Sequence, residues 1–263
     1  PGLNATIRGV AKACYQMLGT ENVEIVGISD GYYGLIHNIC KEMKPDDFSG
    51  ILTRGGTILG TKRQPFKMMK VIGDDNIDKV KNMKKTYQSQ KLDCLLTLGG
   101  NGTHKTSQLL SEEGLNVIGL PKTIDNDLCI TDHTPGFGSA AKYVATTMQE
   151  ITRDSSVYSA PSVTIVEIMG RNAGWLTASS VVLHANGEVA PHLIYVPERK
   201  FSIEQFLEDT RQQMAKHKAV IIAISEGVAD PEAAAFQSGV TDEFGHKYLS
   251  GIGKYLEQVV REQ

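Results

Sequence analysis

The sequence predicts an α/β protein made of two doubly wound domains with mainly parallel sheets. Three observations carry that prediction. Short aliphatic or β-branched runs recur along the 263 residues, nearly all of them empty into polar loops that contain glycine, and amphipathic helical patterns follow those loops. A repeated order of strand, loop and helix requires crossover connections, and these make neighbouring strands parallel.

The elements justify themselves in turn. Ile7, Val10, Cys14, Met17 and Leu18 recur at helical spacing directly after Pro1-Gly2-Leu3-Asn4. No strand precedes this helix, unlike nearly every later one, so the chain is expected to begin after a βα turn has started. Val23 to Ser29 reads as a strand that ends in a loop at Asp30-Gly31-Tyr32-Tyr33-Gly34. Arg54-Gly55-Gly56-Thr57 and Gly60-Thr61-Lys62-Arg63 form a glycine-rich basic loop, which alone is a solvated turn and in company is a phosphate contact. From Asp75 to Gln88, Ile77, Val80, Met83 and Tyr87 share one face and lysines the others, as in a surface helix. Leu95 to Leu98 and Val117 to Leu120 read as buried strands. Thr134-Pro135-Gly136 breaks the pattern before a helix from about Ser139 to Arg153, and places the domain boundary there, giving domains 1–135 and 136–263. Pro161 to Met169 is a continuous β-branched run of the kind buried on both faces of a sheet. Leu193 to Pro197 and Ala219 to Ser225 are further strands, with a helix from Ile203 to His217 between them. Ala229 to Tyr248 is irregular, with a surface turn at Gly245-His246-Lys247, and Gly251 to Arg261 is a last helix.

Composition narrows the possible functions. The chain is 41% apolar, enough for a substantial core, and its 27 basic against 30 acidic residues give a formal net charge of −3, which argues against nucleic acid as a partner. No apolar run reaches the roughly 20 residues that span a bilayer, and no basic-then-apolar leader opens the sequence, so a cytoplasmic protein without a membrane partner is expected. Cys14, Cys40, Cys94 and Cys129 lie far apart and are expected to be buried free thiols. The seven histidines lack HxxxH spacing, which makes His104 a helix-start residue and His184 a helix-face residue rather than zinc ligands.

The stretch from Leu95 to Asp127 holds the densest chemistry. Its first strand opens into Gly99-Gly100-Asn101-Gly102-Thr103, and its second into Lys122-Thr123-Ile124-Asp125-Asn126-Asp127. A glycine-rich loop entering a helix brings backbone N–H groups close to phosphate. Two carboxylates, a lysine and a hydroxyl opposite such a cradle are the parts of a phosphoryl-transfer site. Either loop alone would be read as a turn or a helix cap; their pairing favours function.

Taken with Pro1-Gly2-Leu3-Asn4, Asp30-Gly31-Tyr32, Gly56-Thr57-Ile58-Leu59-Gly60 with Arg63, and Met169-Gly170-Arg171, these loops resemble the phosphofructokinase family in order and spacing over nearly the whole chain. The resemblance implies phosphoryl transfer to the 1-hydroxyl of fructose 6-phosphate, in a cleft between a donor domain, 1–135, and a sugar-phosphate domain, 136–263. It makes Asp125 the general base, Asp127 a magnesium ligand, and Thr123 a hydrogen-bonding partner of the reacting sugar or the transferring group. Met169, Gly170 and Arg171 would contact fructose 6-phosphate, with Arg171 also stabilising the transition state, and Glu226 would accept from sugar hydroxyls. Gly100, Asn101, Gly102 and Thr103, with Tyr32 and Arg63 nearby, would bind the donor. Homo-oligomerisation, as a dimer or tetramer, follows from the family alone.

Departures from the family pattern bear on the donor. ATP enzymes usually carry Gly-Gly-Asp-Gly, its aspartate binding Mg2+, whereas Asn101 keeps an oxygen and loses the charge. Pyrophosphate enzymes usually place a second acid where this chain has Gly102, which leaves room for ATP. Lys122 matches the lysine of pyrophosphate enzymes, where it would neutralise the leaving group. ATP is the favoured donor on steric grounds, with pyrophosphate the alternative and an inactive sugar-phosphate-binding paralogue a third. Ser162 stands near the place of an arginine that reaches across subunits in many members. A further Gly-Gly-Asp loop is expected just before Pro1 and sugar-phosphate ligands just beyond Gln263, and a polypeptide limited to these residues is expected to be inactive. A kinase for NAD or lipid would lack Met169-Gly170-Arg171 and Glu226 at strand ends, and a nicotinamide dehydrogenase would need GxGxxG spacing, which residues 99–103 do not have.

Overall fold

The computed structural model describes residues 1–73, 76–229 and 251–263 and divides into two compact units, Pro1–Thr123 and Ile124–Gln263. The split falls earlier than the Thr134-Pro135-Gly136 break, for a physical reason. Ile124 packs against the cluster built on Phe137, Met148 and Leu176, and the Asn126 side chain bonds to residues 132 and 134, so the loop that carries the two aspartates folds with the second unit.

In the first unit, α1 (Leu3–Leu18) stops at Gly19, whose φ of 87° is open to glycine. Then come β1 (Ile25–Ile28), α2 (Tyr32–His37), β2 (Cys40–Met43), α3 (Lys79–Ser89), β3 (Leu95–Gly99), α4 (Asn101–Glu112) and β4 (Val117–Pro121). Asp78 caps α3 by accepting from the Lys81 N–H. Residue 75, where that helix was expected to begin, lies outside the described residues. Leu35, Ile36, Met69, Met83, Leu95, Leu109, Leu110 and Leu115 form one core of the unit, and Ala11, Met43, Phe48 and Ile51 a second. Burying such side chains contributes about 1.5–3 kcal/mol each.

Tyr32, Tyr33 and Gly34 are the first turn of α2 rather than a loop, and β2 pairs antiparallel with β1, Ile25 opposite Met43 through Ile28 opposite Cys40. β3 and β4 are parallel as expected, Leu95 opposite Val117 through Gly99 opposite Pro121. They are not wholly buried, since Leu96 is 37% and Ile118 50% exposed.

The second unit contains α5 (Phe137–Ser156), β5 (Ser162–Ile168), α6 (Trp175–Ala178), α7 (Val182–Ala185), β6 (Leu193–Tyr195), α8 (Ile203–Met214), β7 (Ala219–Ser225) and α9 (Ile252–Arg261). Its sheet is parallel in the order β5-β7-β6. β7 is therefore the central strand, and Val220 to Ile224 are essentially inaccessible. Val220, Ile222 and Ile224 join Phe206, Ile252 and Leu256 on one face, while Ile221 and Ala223 join Phe137, Met148 and Leu183 on the other. Helices thus cover both faces, which is the doubly wound arrangement. The continuous run before Met169 forms β5, which lies at the edge and is only partly buried along most of its length. Glu167 of β5 accepts from the Gly251 and Gly253 N–H groups and so anchors the start of α9, where a negative charge is favourable.

The irregular segment expected from Ala229 to Tyr248, with its turn at Gly245-His246-Lys247, lies outside the described residues apart from Ala229 itself. The four cysteines are free, but Cys14, Cys40 and Cys94 are half-buried and Cys129 is exposed, so none is the buried thiol expected. Among the described residues no helix is long and apolar enough to cross a membrane.

Candidate active site

β3 delivers its carboxyl end into Gly99 and Gly100, and α4 begins at Asn101 with no side chain capping its first turn. Its leading N–H groups are therefore oriented for an anion. A Cβ placed on Gly102 would meet nothing within 4 Å, and one on Gly100 would only touch the Lys122 carbonyl, at 3.9 Å. Neither glycine is demanded by packing within this unit, and their smallness leaves the mouth of the helix open.

Side chains brace the loop from behind. The Tyr32 hydroxyl donates to the Thr103 carbonyl at 2.8 Å and shares a hydrogen bond with Ser107 at 2.9 Å; Ser107 in turn pairs with Thr97 at 2.7 Å. Burial, the largest influence on that phenol, raises its pKa, so it remains a neutral donor. Tyr32 thus lies beside the glycine-rich loop, with its hydroxyl directed into α4. The Gly99 carbonyl lies 3.0 Å from His104 Nε2 and accepts from the Lys122 N–H at 2.9 Å. This last bond sets Lys122 and Thr123 beside the glycine loop at the ends of two adjacent parallel strands.

The basic loop is also held in place. Asn4 is 2% exposed; its Nδ2 donates to the Arg54 carbonyl at 2.9 Å and its Oδ1 accepts from the Ile58 N–H at 2.8 Å. The Asp30 N–H donates to the Leu59 carbonyl, and Lys62 Nζ stands 3.6 Å above the Tyr33 ring. Arg63 is exposed in an irregular segment.

In the second unit Asp125 is half-buried and Asp127 exposed. Asn101 belongs to the first unit and Asp127 to the second. Met169, Gly170 and Arg171 follow β5, and Glu226 follows β7, at the carboxyl ends of neighbouring strands. Here the structure binds the Gly170 peptide at both ends. Its carbonyl accepts from Ser225 Oγ at 2.6 Å, and its N–H donates to Glu226 Oε1 at 3.3 Å. Gly170 has φ of 141°, and a side chain there would meet the Ala173 carbonyl, so glycine is required. Glu198, after β6, accepts from the Gly174 N–H at 2.8 Å and fixes the far end of the same loop. Met169 is 59% exposed and Arg171 half-buried.

Asn4, Ser107, Asn126, Glu198 and Ser225 have no role assigned to them from sequence. Each is polar, and all but Glu198 are buried. The only sequence signal was their place beside a glycine-rich loop or a strand end.

These features define a two-unit α/β protein in which each unit carries glycine-bearing, polar loops at the carboxyl ends of parallel strands, the place where open α/β sheets bind ligands. A family model described as phosphofructokinase matches residues 1–263, and the chain belongs to the phosphofructokinase family. It is 44% identical over 237 residues to an ATP-dependent 6-phosphofructokinase of Spirochaeta thermophila, a match covering 88% of this chain and 62% of that protein. It is 37% identical over 267 residues to a pyrophosphate–fructose 6-phosphate 1-phosphotransferase of Amycolatopsis methanolica, covering all of this chain and 72% of that protein. The chain therefore spans about two thirds of the length of these relatives. In fold it is similar to phosphofructokinase from Saccharomyces cerevisiae, with a TM-score of 0.77 at 23% identity over all of this chain and 35% of the yeast chain.

Proposed function

We propose that the protein transfers a phosphoryl group from ATP to the 1-hydroxyl of fructose 6-phosphate, giving fructose 1,6-bisphosphate. The observation that carries this proposal is the helix start at Gly100-Asn101-Gly102, uncapped, open around Gly102, and hydrogen-bonded through Gly99 to Lys122, whose chain runs on into Thr123 and Asp125.

In this mechanism the first-turn N–H groups of α4 hold donor phosphate oxygens, and the absence of a side chain at residue 102 admits the α-phosphate of a nucleotide. The Asp125 carboxylate accepts the proton of the 1-hydroxyl as its oxygen attacks the terminal phosphorus. Thr123 hydrogen-bonds the sugar or the transferring group. Arg171 places positive charge where negative charge develops, and Met169 and Gly170 shape the sugar site. The second oxygen of the Glu226 carboxylate accepts from a sugar hydroxyl while the first holds the Gly170 N–H.

Asn101 and Asp127 offer one amide oxygen and one carboxylate. Each is an oxygen ligand of the kind Mg2+ accepts, an ion that takes few protein ligands and completes its octahedron with water and phosphate. Mg2+ bound with the donor would neutralise phosphate charge.

Pyrophosphate is a second donor reading, favoured by Lys122 and by the pyrophosphate-dependent relative. The same reading makes the protein a cytoplasmic homo-oligomer, which family membership supports, and sedimentation of the full-length protein checks the assembly. Asp125→Asn is expected to lower kcat by about two to four orders of magnitude with little change in fold, measured as product formation from fructose 6-phosphate. Near-normal turnover would remove Asp125 as the base.

A further inference from the structure

Asn126 stands between the two aspartates, and its setting is unlike theirs. It is 6% exposed and its backbone is left-handed, with φ of 56°. Asparagine tolerates that region better than most residues because its short polar side chain can bond locally. Both ends of the amide are used. Nδ2 donates to the Asp132 carbonyl at 3.0 Å, and Oδ1 accepts from the Thr134 N–H, a buried group, at 2.9 Å. The side chain thus closes the loop from residue 126 to 134 on itself, immediately before α5. Because residue 126 is fixed in both backbone and side chain, the peptides on either side are fixed too, and with them the origins of the Asp125 and Asp127 side chains.

We infer that Asn126 is a positioning residue for these two carboxylates, a role that rests on the phosphoryl-transfer function proposed above. The Asn126 amide does not touch substrate. It turns the backbone so that Asp125 and Asp127 leave the chain in set directions, and it prevents the loop from relaxing when a charged donor and acceptor bind nearby. A reacting group displaced by about 1 Å can cost on the order of 100-fold in rate.

The test uses the full-length protein and two variants. Asn126→Gly keeps access to the left-handed backbone and removes both side-chain bonds. Asn126→Asp keeps the acceptor for the Thr134 N–H and loses only the donor to residue 132. For Asn126→Gly we expect kcat to fall about 100-fold while KM for fructose 6-phosphate stays within about threefold and the thermal midpoint stays near that of the unaltered protein. For Asn126→Asp we expect an intermediate kcat, and amide exchange at residues 126–134 slower than in the glycine variant. A glycine variant with unaltered kcat overturns the inference. So does one in which kcat, KM and thermal midpoint fail together while the aspartate variant fails equally, because that pattern marks a general folding role. If the unaltered protein turns over fructose 6-phosphate with neither donor, the proposed function itself fails and the positioning role falls with it. The control assay separates that outcome from the other two.

Discussion

In the proposed reaction, donor choice turns on Gly102. It occupies the first turn of α4, where the backbone costs about 0.5–1 kcal/mol relative to alanine, and no neighbour within the unit requires the space it leaves. A glutamate there would gain helix propensity and favourable interaction with the helix dipole, about 0.3–1 kcal/mol, so Gly102→Glu is expected to fold at least as stably. Its carboxylate would crowd and repel a nucleotide α-phosphate. Steady-state assays with ATP should show kcat/KM lowered by at least about tenfold, while activity with pyrophosphate is unchanged or improved; equal activity with ATP would contradict the steric argument. The sequence singles out Gly102 and the aspartates because phosphate chemistry needs those residue types in contiguous loops. Asn4 was not legible. Its partners lie some fifty residues away at Arg54 and Ile58, and they are backbone groups that leave no mark in composition or spacing. Asn126 and Ser225 escaped for the same reason, since each bonds main-chain atoms of a neighbouring loop.

At the scale of elements, long periodic segments were readable and short ones were not. α1, α5, α8 and α9 stand close to their expected positions, whereas α2 and β2, six and four residues long, are too short for a period to show. The run before Met169 announced a strand but not its place in the sheet, because β-branched residues suit an edge as well as a centre. The junction of β6 with β7 carries a pH dependence. His192 donates its N–H to the Ile221 carbonyl at 2.8 Å, and its ring Nδ1 accepts from the Ile221 N–H at 3.0 Å. Its ring lies 4.4 Å from that of His217, centroid to centroid. Burial first, and the neighbouring His217 second, lower its pKa below the ordinary value, and His184 adds to the lowering. The unfolded chain therefore takes up a proton below about pH 6.5 that the folded chain resists. Stability contributed here is complete at neutral pH and is lost as pH falls through the histidine range. Chemical denaturation between pH 5 and 8 should show this slope, and His192→Asn should flatten it. An identical slope in that variant would assign the dependence to other groups.

At the scale of the molecule, two α/β units each present glycine-bearing loops at the carboxyl ends of parallel strands, and the family assignment covers the full 263 residues. The organisation into two units was legible because strand, loop and helix alternate throughout. The position of the division was not, since it depends on Ile124 packing into the second unit rather than on the break at Pro135 and Gly136. The central claim is phosphoryl transfer to fructose 6-phosphate with ATP preferred, and it meets its most direct test in one measurement. Full-length protein is incubated with fructose 6-phosphate and Mg2+, with ATP or pyrophosphate in parallel, and fructose 1,6-bisphosphate is quantified. The account predicts product with both sugar and ATP present, at a kcat/KM exceeding that with pyrophosphate; product from pyrophosphate alone, or from neither donor, would contradict it.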